Sequence, residues 1–275
     1  MKLSNPILIK EMRTRMRGKR AFIVLTCYVF ILSLIIGLFY FALSRAAPPA
    51  VVNQAGSLLT PVLIYVQLAL ICLTAPTFSA SSISSEREQQ TLDLLVISLA
   101  SPSTILFGKV GAALSYLLLT LFGSLPLVSL TYALGGVSLR DIAIAYLVML
   151  VAGMTFCSLS FLWSTLIRRS VLAQLVSILS VIFLVAGIPA LAAFFSALTF
   201  RVGGTSNTYM NIIFLLLRTN PFAAVASMIP GFPIPAGTWM HGVSIWVSQI
   251  VFYLALTVIS LLLALRRLNR VRNWL

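Results

Sequence analysis

The chain has 275 residues, of which 60% are hydrophobic and only 9% charged, against roughly 25% charged in an ordinary soluble domain. Five acidic side chains cannot cover the surface of a soluble protein of this size, so the composition is that of an integral membrane protein. The net charge of +14 does not signal nucleic-acid binding, because the basic residues are confined to gaps between long apolar runs.

The N-terminal segment comes first. Asn5 can cap a helix that has Pro6 at its first position. Ile9, Met12 and Met16 repeat at helical spacing, and Lys10, Arg13, Arg17 and Arg20 line another face. Residues 1–20 therefore read as an amphipathic basic helix lying at the membrane interface, near anionic headgroups. Plain positive-inside topology is the simpler reading of the same charges. A 24-residue charge-free run follows. It exceeds the roughly 7–15 residues of a signal-peptide core and is read as a retained anchor.

Runs long enough to cross a bilayer occur at about 21–43, 57–80, 110–133, 142–166, 171–197 and 244–265. The predicted fold class is all-α: a polytopic membrane protein with six transmembrane helices in one domain over 21–275. Pro61, Pro76, Pro126 and Pro189 fall inside or near the ends of spans, where proline bends a helix. Small residues four apart, at Ser160/Ser164, Ala186/Ala190 and Ala193/Ala197, permit close helix contact. The spans so bounded contain no Asp, Glu, Lys or Arg. That argues against a transporter carrying its own ion-coupling site.

The connection between spans two and three carries more than a simple link needs. It runs Ser84-Ser85-Glu86-Arg87-Glu88-Gln89-Gln90-Thr91-Leu92-Asp93-Leu94-Leu95. Ser85 with Glu88 three residues later is a capping box, which predicts a helix beginning there and running through 86–99. Leu92, Leu95, Val96 and Leu99 form its apolar stripe, and Glu86, Gln89, Gln90 and Asp93 its polar face. Ser101-Pro102 ends it and starts the next helix, through Lys109 into span three. Such a helix either docks into a groove on a soluble partner or tucks its leucine face under the bilayer.

Of the 19 basic residues, fifteen fall on the side of the chain termini and only Arg45, Arg140, Arg201 and Arg218 on the other. By the positive-inside rule both termini are cytoplasmic. The bias suits a multi-pass protein of a bacterial plasma membrane. Cys27, Cys72 and Cys157 lie in apolar runs without C-x-x-C spacing, and His241 is the only histidine. No metal site and no disulfide framework is expected. Gly18-Lys19-Arg20 and Gly108-Lys109-Val110 lack the upstream glycine and the Ser or Thr of a P-loop, so no ATP hydrolysis by that mechanism is expected. An intramembrane hydrolase would need a nucleophile facing a base, and His241 has no acidic neighbour in sequence.

The chain resembles the permease subunits of ABC-2 type ATP-binding-cassette transporters over nearly its whole length. Three stretches carry the likeness: Asn5-Pro6-Ile7-Leu8-Ile9-Lys10-Glu11-Met12-Arg13, the Glu86–Leu95 run (E-R-E-x-x-T-L-x-x-L-L), and Asn220-Pro221-Phe222 before the last span. The resemblance implies that Glu86, Arg87, Glu88, Gln89, Thr91, Leu92, Asp93 and Leu95 form a coupling helix contacting a separate P-loop ATPase subunit. Lys10, Glu11, Met12, Arg13 and Arg17 would belong to the connecting helix. The stretch 199–242 would hold external re-entrant helices, with Phe200, Phe214, Phe222 and Phe232 at the outer gate. A second permease subunit, identical or related, would complete the pathway, lined near Pro76 and Pro189 and surrounded by membrane lipids. The chain itself would hold no cofactor, with ATP and magnesium on the partner ATPase. Export is the expected direction. The alternative is a structural subunit of a larger membrane complex that transports nothing.

Overall fold

The computed structural model describes residues 9, 11–12, 19–46, 48, 55–90, 101–202, 213, 215–228 and 244–272. Every regular element among them is helical: α1 (Lys19–Ala46), α2 (Ala55–Ser79), α3 (Ser84–Glu88), α4 (Pro102–Ala133), α5 (Leu139–Leu166), α6 (Ser170–Ile182), a π-helical turn (Phe183–Gly187), α7 (Ile188–Val202), α8 (Pro221–Ala226) and α9 (Ile245–Arg272). Six stretches are long and apolar enough to cross a membrane. They coincide with the six predicted spans, the fifth being α6, the π turn and the start of α7 together. The protein is a multi-pass membrane protein.

Helix starts follow local chemistry. Ser101 caps α4 by accepting from the Thr104 amide, with Pro102 in the first turn, as its sequence predicts. Ser138 caps α5 by accepting from the Arg140 amide, and Asp141 lies in its first turn. As the Ser101-Pro102 signal predicts, α4 begins at Pro102, ahead of the charge-free run that opens at 110, and it takes Lys109 into its buried interior. A lysine sits inside a packed helix when its charge is neutralised there, and this one is.

Helix α5 is the hub, packing on α2, α4, α6, α8 and α9. Leu59, Leu63, Leu68 and Ile71 of α2 meet Val148, Met149, Ala152 and Phe156 of α5 in the main core. Gly153 lets α4 and α5 close up: a Cβ there would lie 2.0 Å from Leu117 Cδ1. Hydroxyls and amides add ties between helices. Gln67 donates to Ser124 Oγ (2.7 Å), Ser124 pairs with the Tyr146 hydroxyl (2.8 Å), and Thr155 pairs with Thr257 (2.9 Å). Such bonds average about 0.6 kcal/mol in membrane bundles, so packing carries most of the cohesion. α1 and the fifth span stay at the periphery, each with 17% of its central stretch buried against 61% for α4 and α5.

Candidate functional site

The short helix α3 continues from α2 through a turn at 80–83 and lies across the ends of α4, α5 and α6. Its capping differs from the expected box. The helix begins at Ser84, Ile83 is its N-cap, and no side chain of its own caps it. Ser164 of α5 does so instead, its Oγ accepting from the amides of Ile83 (2.9 Å) and Ser84 (3.1 Å). Ser85 turns back to donate to the Ser81 carbonyl. Ser160 and Ser164, marked in the sequence as a small-residue pair, are both fully buried. Ser164 therefore does more than give room.

The three charged residues of α3 each reach a different element. Successive helical positions point about 100° apart, so 86, 87 and 88 cannot share a face. Glu86 Oε1 accepts from Lys109 Nζ at 2.8 Å, and the same ammonium donates to Glu11 Oε1 at 2.9 Å. Lys109 is 3% exposed, and one cation thus joins the N-terminal segment, α3 and α4. Burying an ammonium is tolerable because both carboxylates stay at hydrogen-bond distance. Arg87 Nη2 reaches the Thr165 carbonyl at 3.5 Å, where a positive charge complements the C-terminal end of α5. Glu88 accepts from the Ser170 amide (3.0 Å) and from its hydroxyl. It thereby caps α6, whose own N-cap residue, Arg169, provides no side-chain cap.

Gln89 and Gln90 are exposed, and α3 ends there, with Gln90 in the left-handed region at φ 56°. The predicted single helix over 86–99 is thus corrected over its first part: the backbone turns at 89–90. Thr91, Leu92, Asp93 and Leu95 lie outside the described residues. In the N-terminal segment Glu11 and Met12 are helical, and Ser115 Oγ of α4 lies 3.8 Å from Met12 Sδ. Lys10, Arg13 and Arg17 lie outside the described residues. Gly108-Lys109 falls within the α4 helix, and its ammonium is committed to two carboxylates.

A second junction lies toward the other end of the bundle. Asn220 caps α8, its Oδ1 accepting from the Phe222 (2.8 Å) and Ala223 (3.4 Å) amides, with Pro221 in the first turn. Its Nδ2 donates to the Val185 carbonyl at 2.6 Å, within the π turn. Phe222 stacks on Tyr65 of α2 with ring centroids 5.9 Å apart. The side chains of Phe200, Phe214 and Phe232 and the residue His241 lie outside the described residues. Pro76 is buried inside α2, and Pro189 is the second residue of α7, which follows the π turn.

Sequence reasoning found Glu86 and Glu88 but not their partners. Nothing in the spacing links Lys109, Ser164 or Ser170 to α3. Among curated proteins none matches the chain. The family model described as ABC-2 family transporter protein matches residues 5–272, so a six-span bundle with these junctions belongs to the ABC-2 transporter family and is a membrane permease component of it.

Proposed function

We propose that the chain is the permease of an ATP-driven exporter, working as a dimer with separate P-loop ATPase subunits that press on the segment beginning at α3. One observation carries the reading: α3 is tied to α4 through Lys109, to α5 through Ser164, and to α6 through Ser170. A push on α3 is thereby a push on three spans, and a ligand-driven closure beneath it shifts the bundle between states that contact the partner differently. Export is the direction usual for the family that the chain resembles.

Support for the dimer comes from the periphery. Ala186, Ala190, Ala193 and Ala197 are all exposed at helical spacing on the sparsely buried fifth span. Small residues there suit a close approach by a second copy or a related chain. Support for cytoplasmic termini comes from charge: Arg168 and Arg267 each lie close enough to Arg87 to oppose its charge, at one end of the bundle.

The test is purification of the tagged full chain in mild detergent, with mass spectrometry of what accompanies it. A P-loop ATPase is expected, and E86K/E88K should release it by undocking α3. Gln89→Arg, at an exposed position outside these ties, should weaken the association without loosening the bundle. An ATPase unaffected by both variants would sink the assignment of this segment. A stable set of other membrane subunits without an ATPase would mean that the chain is a structural component.

A further inference from the structure

At the end of the bundle where α5 finishes and α9 emerges, Leu162, Leu166 and Leu263 line a groove with Arg266, Arg267 and Arg270. Its volume is about 360 Å³, within the roughly 300–1,000 Å³ of ligand clefts. The four α9 residues are spaced i, i+3, i+4 and i+7 and share one face, so a leucine side chain leads directly into three guanidinium groups. Leu166 and Leu263 are 41% and 44% exposed, and all three arginines are exposed.

No carboxylate among the described residues pairs with these three arginines. Arg168 and Arg267 both oppose the charge of Arg87, and Glu88, the nearby acid, is already engaged with Ser170. The locality is therefore rich in positive charge and short of anions, over an apolar floor. A solvated face of basic residues has no need of the leucine-lined depth. A soluble anion would use the guanidiniums and leave the leucines wet. A molecule with a phosphodiester headgroup and acyl chains satisfies both.

We propose that this groove is a site for an anionic phospholipid, its phosphodiester held by Arg266, Arg267 and Arg270 and its acyl chain lying along Leu162, Leu166 and Leu263. Arginine suits the role, because its planar fork matches phosphate oxygens two at a time. A lipid bound there would span the ends of α5 and α9, the helices that pack together most extensively in the bundle.

The experiment is native mass spectrometry of the full chain in mild detergent, supplied with dioleoylphosphatidylglycerol and dioleoylphosphatidylcholine in equal amounts. The wild type should retain the anionic lipid preferentially. Each Arg→Gln change at 266, 267 or 270 should lower that preference about fivefold, the weight of one basic residue beside an anionic lipid. Leu263→Trp, which fills the groove and keeps every positive charge, should also release the lipid, and it tests the site even if the glutamine variants insert poorly. Inorganic phosphate in excess should leave the lipid bound. Equal retention of the two lipids, or retention unchanged in Leu263→Trp, overturns the proposal. So does displacement by phosphate, which would make this a soluble-anion site. Loss of an accompanying protein from the glutamine variants with lipid retention intact also overturns it, assigning the face to a protein partner.

Discussion

Asn220 donates from Nδ2 to the Val185 carbonyl, the acceptor that Pro189, four residues further on, cannot satisfy because it has no N–H. One side chain thus starts α8 with its carbonyl oxygen and closes a gap in the fifth span with its amide nitrogen. Away from water, an orphaned carbonyl is costly, so the proline and the asparagine are expected to depend on each other.

Asn220→Ala removes a cap worth about 1 kcal/mol and strands a carbonyl worth about 1–3 kcal/mol. The expected loss is about 2 kcal/mol or more, seen as a lower midpoint in thermal unfolding of the purified protein. Pro189→Ala supplies an N–H within the helix, so Asn220→Ala should cost about 1 kcal/mol less in that background. Strict additivity of the two changes would show that they are not linked through Val185.

Lys109 gives the second prediction. Lys109→Met leaves Glu11 and Glu86 facing each other across the vacated position, at only 20% and 22% side-chain exposure. Removing one partner of a fully buried pair costs about 3–5 kcal/mol, and the partial exposure of the carboxylates reduces this to about 2 kcal/mol. Adding Glu11→Gln and Glu86→Gln should recover most of the loss, because three neutral groups carry no mutual repulsion. A triple variant as unstable as Lys109→Met would show that the lysine acts through its packing and not its charge.

The six spans were legible because apolar length alone defines them, and Ser101-Pro102 was legible because a cap and its amide lie within one helical turn. The ties of α3 were not. Ser164 and Ser170 lie some 80 residues from the groups they serve, and a serine in an apolar run reads as a packing residue. Ser85 and Glu88 have the right spacing for a capping box, but Ser85 turns back to the Ser81 carbonyl and Glu88 reaches across to Ser170. Lys109 shows the same limit: its place in the helix led by Ser101-Pro102 is legible, but the two carboxylates that neutralise it come from other segments of the chain.

Glu88 supplies a prediction about dynamics. Its carboxylate holds the first amide of α6, so Glu88→Ala should speed hydrogen exchange in the first turn, over Ser170 to Ala173. Glu88→Gln keeps an oxygen acceptor and loses only the charge, so its effect should be smaller. Exchange in α5 should not change. Uniform acceleration across the bundle would mean that Glu88 holds the global fold and not this one helix end.

Gly56 and Gly153 separate two kinds of close approach. A Cβ on Gly56 would lie 2.2 Å from the Gly135 carbonyl oxygen and 2.4 Å from that of Thr131, both backbone atoms at the end of α4. A Cβ on Gly153 would meet the tip of the Leu117 side chain, which can rotate away. Overpacking costs about 1–3 kcal/mol. Gly153→Ala is expected near the lower end of that range and Gly56→Ala at or above the upper end, because backbone cannot yield without moving α2 from α4. The measurement is a pair of thermal unfolding curves on purified protein, with Leu117→Ala added to each variant. Relief by Leu117→Ala of the Gly153→Ala penalty, and not of the Gly56→Ala penalty, is the expected pattern. Equal penalties for the two glycines would show that the start of α2 has more freedom against α4 than these distances allow.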